Sequence, residues 1–257
     1  MTMPHQTKLQ LFSGTERSRN SGEKASSVRR SVVPPPSTFR PALEVDHFSI
    51  PPVCQALGQR SETVAGPLLE AIGDSARQTT RILLLASGER GVGKTTVGIW
   101  LAATLAKTSQ KICLVDANIE NPAVAKQLGI DPDGGWRTYA ENKQCVSELL
   151  IESIADRFVI LPCSSQLEAS RWQAEWDLAS ILEGLRDQFE LVLIDAMPMV
   201  PGGLGHEMLQ DCGPFIDAAL WIDSGSIDTM SAQRQLENAG VRLLGCVQRA
   251  REIAQAA

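Results

Sequence analysis

Six short runs of almost unbroken apolar residues punctuate this chain: Ile82 to Ala86, Ile112 to Val115, Phe158 to Leu161, Leu191 to Ile194, Ala218 to Ile222 and Leu243 to Val247. Between them, apolar residues recur at helical spacing, as with Val97, Leu101, Thr104 and Leu105, and later with Leu178, Ile181, Leu182 and Leu185. Strands without polar alternation are strands covered on both faces, so the pattern predicts repeated strand-helix-strand units around a mostly parallel sheet with helices on both faces. Right-handed crossovers would wind that sheet, and the fold class is α/β.

The pattern changes before Arg81. Residues 46–80 hold two short amphipathic stretches, the second capped by Ser61 with Val64, Leu68 and Ile72 on one stripe, and they read as a helical lead-in. Residues 1–45 are rich in Ser, Arg, Pro and Thr, include Pro34-Pro35-Pro36, and carry neither apolar period, so they are expected to form a disordered basic tail. The predicted organisation is therefore tail 1–45, lead-in 46–80 and one α/β domain over 81–257.

Charge sharpens the division. The net charge of the 257 residues is -6, yet residues 1–40 carry an excess of five positive charges, which leaves the rest at -11. A body that acidic, with no Lys/Arg run after Arg30, is not expected to bind nucleic acid. The six cysteines are scattered without a C-x-x-C pair, which predicts buried reduced thiols, not a metal site. No stretch approaches the roughly 18 apolar residues of a membrane span, and the N-terminus lacks a signal-peptide core, so a cytoplasmic location is expected.

Chemistry concentrates after the first of the six runs. Gly88-Glu89-Arg90-Gly91-Val92-Gly93-Lys94-Thr95-Thr96 follows a predicted strand and opens a predicted helix. Glycines let successive backbone N-H groups curl inward around phosphate oxygens, and the helix N-terminus adds its positive end. This is the P-loop pattern, in which Lys94 reaches the β- and γ-phosphates and Thr95 contributes a hydroxyl to Mg²⁺. Two more apolar runs end in acids, Asp116 and Asp195, on the rim that a parallel sheet would share with the loop. Both are candidates to hold Mg²⁺ or its waters and to orient an attacking oxygen.

Trp172 and Trp176, four apart, read as helix-packing residues. Gly202-Gly203-Leu204-Gly205-His206 predicts a loop over the site, with His206 a surface histidine. There is no G-x-S-x-G elbow and no zinc-binding spacing, which argues against hydrolase triads and metalloenzymes.

The phosphate loop, the stretch Leu114-Val115-Asp116-Ala117-Asn118 with Asn121-Pro122 and Leu128-Gly129-Ile130, and the phrase Leu193-Ile194-Asp195-Ala196-Met197-Pro198 resemble the MinD/ParA-type P-loop ATPases. They resemble more closely the ATPase domains of bacterial tyrosine kinases in capsule and exopolysaccharide biosynthesis. The resemblance spans about Ile82 to Arg249. It implies ATP and Mg²⁺ as ligands, Lys94, Asp116 and Asp195 as the catalytic set, and Thr95, Asp116 and Asp195 around the metal. It also implies phosphoryl transfer to a protein hydroxyl, a membrane adaptor of polysaccharide export as partner and membrane association through that adaptor; a homo-oligomer is a further expectation that the resemblance does not carry, because the stretch before the first strand lacks the family's E-x-R-x-x-R-T-N ring-assembly element.

The chain departs from those kinases in several places. Tyr139 is its single tyrosine, so the stretch Arg249 to Ala257 offers no autophosphorylation cluster. Glu120 stands where a basic residue is usual, Arg249 where an asparagine lies near the adenine, and Glu89 where the MinD/ParA branch has its signature lysine. A regulatory ATP-dependent switch without kinase activity, and a MinD/ParA-type positioning ATPase, therefore stand as alternatives.

Overall fold

Burial on two sides explains why the strand sequences show no alternation. In a computed structural model, which describes residues 7–11, 41, 43–59, 65–108, 110–132, 135–138, 145–163, 178–224 and 229–249, successive residues of each central strand enter two separate cores. Ile82, Leu84, Cys113, Val115, Val192 and Ile194 share one core, while Leu83, Leu85, Ile112, Leu114, Leu191 and Leu193 share the other. Each such Leu, Ile or Val contributes about 1.5–3 kcal/mol of apolar burial, and both faces draw on it.

In chain order the strands are β1 (Thr7–Leu11), β2 (Leu43–Val45), β3 (Ile82–Ala86), β4 (Ile112–Ala117), β5 (Ile151–Ser153), β6 (Phe158–Leu161), β7 (Leu191–Ala196), β8 (Ala218–Asp223) and β9 (Arg242–Arg249). The helices are α1 (Pro52–Gln59), α2 (Ala65–Gln78), α3 (Lys94–Leu105), α4 (Val124–Gln127), α5 (Val146–Leu149), α6 (Leu178–Arg186), α7 (Leu204–Cys212) and α8 (Thr229–Asn238). The sheet runs β1-β9-β8-β3-β7-β4-β6-β5-β2. Its six central strands, β9 through β6, are all parallel. They coincide with the six apolar runs.

Three further strands were not foreseen. β5 pairs antiparallel with β6 over two residue pairs, β2 pairs with β5, and β1 lies antiparallel along β9. Two of these lie within residues 1–45, where the sequence predicts no structure. They are edge strands, held by hydrogen bonds to a neighbour instead of by an apolar run of their own: Leu43 and Glu44 of β2 are exposed. Edge pairing leaves little hydrophobic signature, which is why periodicity passes over it.

α1 and α2 lie in the lead-in. Leu68 and Ile72 of α2 are buried against β-sheet residues, while Ser61 and Val64 lie outside the described residues. α1 packs across α3, and the Cys54 thiol donates to the carbonyl of Thr96 at 3.4 Å. That cover changes the reading of α3: Gly98, Ile99, Trp100, Leu101, Ala102 and Leu105 are all buried, far more than one stripe. Gly98 lets α3 approach the sheet closely: a β-carbon there would sit 2.9 Å from Leu85 Cδ1, so the leucine side chain would have to shift. α6, α7 and α8 cover the opposite face through residues such as Leu182, Met208 and Leu236. Trp172, Trp176 and Tyr139 lie outside the described residues. Among the described residues no helix is long and apolar enough to cross a membrane. Five cysteines are buried, and Cys145 is exposed.

Candidate functional site

The loop between β3 and α3 turns on two glycines. Gly91 has φ 74° and Gly93, the residue capping α3, has φ 99°. A β-carbon at either would meet nothing within 4 Å, so these positions need glycine for backbone conformation and not for space. The turn delivers Lys94 as the first residue of α3, where its side chain is only 6% exposed. Its ammonium donates to Ser87 Oγ at 2.6 Å, and Ser87 Oγ donates in turn to the carbonyl of Glu89 at 2.8 Å. Burial lowers the Lys94 pKa, and the nearby Asp195 carboxylate opposes that shift.

Asp116 and Asp195 are register partners on adjacent strands β4 and β7. The sequence suggests that each follows its strand, but β4 and β7 each continue one residue beyond the acid, and both carboxylates are interior, at 1% and 0% exposure. Their settings differ. Asp195 Oδ2 accepts a hydrogen bond from the Thr95 hydroxyl at 2.5 Å, whereas Oδ1 is buried with no hydrogen-bond partner. Asp116 is saturated: Oδ1 accepts from Asn118 N at 3.1 Å, and Oδ2 from Ala123 N at 2.9 Å and Val124 N at 3.0 Å. The Trp136 indole donates to the Asp116 carbonyl at 2.6 Å.

Desolvation raises both acids. Asp116 is pushed up to about 7, by burial first and by the Asp195 charge second, against its three backbone donors. Burial lifts Asp195 to about 6, with the Thr95 hydrogen bond and the Lys94 charge pulling the other way. Two carboxylates this close cannot both ionise cheaply without a cation between or beside them.

Above these groups lies a cavity of about 420 Å³, lined by Gly93, Lys94 and Thr95 from the loop and by Asn118, Glu120 and Asn121 from the β4–α4 connection. Arg90 and Glu120 also line it and meet at 2.8 Å. The predicted residues Gly91, Gly93, Lys94, Thr95, Thr96 and Arg90 thus converge on one space. Val92 is buried in the apolar core instead, and Glu89 turns toward β8, where its carboxylate accepts from Ser224 Oγ at 3.3 Å. Asp195 lies beneath Thr95, and Asp116 anchors the opposite wall.

The loop expected over residues 202–206 is shorter than its glycines suggest. Gly203 caps α7, which begins at Leu204, and Gly205 is buried where a β-carbon would stand 2.2 Å from the Pro198 carbonyl. His206 is half-buried, its ring between the amides of Gln210 at 3.1 Å and Gln235 at 3.2 Å. Two groups escaped the sequence reading. Ser87, the polar residue that closes the apolar β3 run, holds Lys94. Asp223 is a third buried acid ending a parallel strand, and Ala-Leu-Trp-Ile-Asp repeats the pattern that drew attention to Asp116 and Asp195.

Comparison with known proteins agrees with this geometry. A family model described as ParA, NUBPL iron-transfer P-loop NTPase, matches residues 78–153. An ATP-binding protein of Methanocaldococcus jannaschii is 30% identical over 179 residues, covering 65% of this chain and 63% of that one. The chain spans about half to two thirds of the length of the curated relatives it matches first. The cell division ATPase MinD of Pyrococcus furiosus is similar in structure, with a TM-score of 0.55, 26% identity, and coverage of 65% of this chain and 71% of that one. The kinase domain of the Escherichia coli tyrosine kinase ETK shares the fold with a TM-score of 0.57 at 22% identity, covering 69% and 71%. With its phosphate loop on the rim of a mostly parallel sheet and helices on both faces, the chain has an α/β P-loop NTPase fold like those of MinD and the ETK kinase domain.

Proposed function

We propose that this chain binds ATP together with Mg²⁺ in the cavity above Lys94 and works as an ATP-dependent switch, cleaving the terminal phosphate and changing partners as it does so. The observation that carries the reading is the Asp195 carboxylate. It is wholly buried beside Lys94, one oxygen holds the Thr95 hydroxyl, and the other accepts nothing. A buried acceptor of that kind fits the outer side of a hydrated cation. Among the described residues no cluster of three or more His, Cys, Asp or Glu could hold a metal unaided. That fits Mg²⁺, which binds through one or two protein groups plus phosphate oxygens and water.

Thr95 and Asp195 would hold the metal, which supplies positive charge against the phosphate oxygens. Lys94 would leave Ser87 for the polyphosphate, exchanging a neutral hydroxyl for a charge-assisted partner. The amides of the glycine turn would complete the cradle. Asp116 acts here as a positioning residue: three amides fix its carboxylate, and through them it fixes the connection that carries Asn118, Glu120 and Asn121 to the cavity wall.

The likeness to the ETK kinase domain favours a second reading, transfer of the terminal phosphoryl to a hydroxyl on another protein such as a membrane adaptor of polysaccharide export, with assembly into a homo-oligomer. Tyr139 is the single tyrosine of the sequence, which weighs toward the switch. Titration calorimetry with ATP, with and without Mg²⁺, tests the binding claim. Lys94→Ala should weaken affinity by about 100-fold, the loss of a charge-assisted contact of ~3 kcal/mol. Well-folded protein that shows no magnesium-dependent affinity for ATP would overturn the reading. Labelling from [γ-³²P]ATP separates the alternatives: release of free phosphate supports the switch, and label on protein supports the kinase.

A further inference from the structure

We infer that Arg90 is an additional polyphosphate-binding side chain of this site, held in reserve by Glu120, which competes with the incoming phosphate for its guanidinium. The inference deepens the nucleotide-binding reading and rests on it. Arg90 belongs to the phosphate loop, and its Nη2 lies 2.8 Å from Glu120 Oε1, the two side chains being 70% and 27% exposed. Both line the same cavity as Lys94 and Thr95. The ion pair therefore spans the space that a polyphosphate would enter, from the loop on one side to the β4–α4 connection on the other.

The two partners are not equally free to move. Glu120 sits between Asn118 and Ala123, whose amides are both tied to the buried Asp116 carboxylate, and Asn121 N adds a bond to the Asn118 carbonyl at 3.2 Å. Its backbone is fixed. Arg90 stands on a long, largely exposed side chain in a glycine turn, so Arg90 is the partner that can swing. A phosphate group presents the guanidinium with the same fork of oxygens as a carboxylate and carries more charge. An anion in the cavity is drawn to Arg90 and repelled by Glu120, and both forces act to break the pair. The more charge the ligand carries, the more completely Arg90 transfers, so the latch favours triphosphate over diphosphate.

A thermodynamic cycle tests this. MgATP affinity is measured by calorimetry for the wild-type chain, Glu120→Gln, Arg90→Ala and the double variant. Freeing Arg90 in Glu120→Gln should tighten binding by about two- to fivefold, the range of an exposed ion pair, and Arg90→Ala should weaken it. In the Arg90→Ala background the Glu120→Gln gain should vanish. A gain of equal size in both backgrounds means that Glu120 acts only through its field, and the latch is overturned. An Arg90→Ala variant that binds as tightly as wild type overturns it as well. Failure of the wild-type chain to bind MgATP would sink the underlying reading instead, a result distinct from normal binding with unaffected variants. Both side chains are solvent-accessible, and unchanged melting temperatures confirm that the variants fold.

Discussion

Replacing Asp195 with asparagine should make the ligand-free protein more stable at alkaline pH while impairing its use of Mg²⁺. The carboxylate is 0% exposed, and burial lifts its pKa from 3.8 to about 6. A shift of roughly two units corresponds to about 3 kcal/mol between the protonated and ionised forms. The sign follows from the raised value: the folded chain holds the proton more tightly than the unfolded chain. The contribution is full below about pH 4 and is lost as pH rises through about 6, with Asp116, raised to about 7, adding in the same direction. Asparagine keeps an acceptor for the Thr95 hydroxyl but brings an amide N-H₂ that needs a partner, and the usual cost of an unpaired polar group, ~1–2 kcal/mol, offsets about half of the gain. The net expectation is a gain of about 1–2 kcal/mol at pH 8, or about 2–8 °C in melting temperature for a chain of this size, and a loss of about 1–2 kcal/mol at pH 4, where the wild-type acid is protonated and only the cost of the amide remains. Differential scanning calorimetry at both pH values reads the effect directly. An Asp195→Asn variant that melts below wild type at pH 8, or a ligand-free wild type that grows more stable from pH 5 to pH 8, would refute the reasoning. The same variant should lose most of the Mg²⁺ dependence of ATP affinity, because Thr95 alone remains to fix the cation.

Two structural predictions complement the binding tests on Lys94, Arg90 and Glu120. Gly205→Ala drives a methyl into the Pro198 carbonyl, 2.2 Å away, so it should cost about 1–3 kcal/mol in urea unfolding and shift the segment after β7, lowering ATP turnover along with stability. Trp136→Phe removes the indole donor to the Asp116 carbonyl while keeping an aromatic ring, and should cost about 1 kcal/mol by the same measurement, with ATP affinity nearly intact.

How much of this was legible in advance varies by residue. Leu83 and Leu84 point to opposite cores, and a run that is apolar at every position can be satisfied only in that way, so the six central strands could be read without a structure. The phosphate loop was equally plain, because Gly91 and Gly93 need their positive φ locally and Lys94 follows at fixed spacing. β1, β2 and β5 were hidden: β1 and β2 are edge strands, β5 is only three residues long between β6 and β2, and all three are held by backbone hydrogen bonds, which almost any residue can make. The three amides that saturate Asp116 left no trace either, since Asn118, Ala123 and Val124 donate through the backbone.

The amino-acid order determined what depends on neighbours in the chain: which runs become buried strands, where the backbone turns left-handed, and which lysine opens α3. Tertiary structure decided what depends on distant segments. Thr95 and Asp195 are 100 residues apart in sequence yet share a hydrogen bond, and Arg90 meets Glu120 only because β3 and β4 flank β7 in one parallel sheet. The charge state of the two acids belongs to the second class, because desolvation is set by everything packed around a carboxylate and not by the residues beside it in the chain.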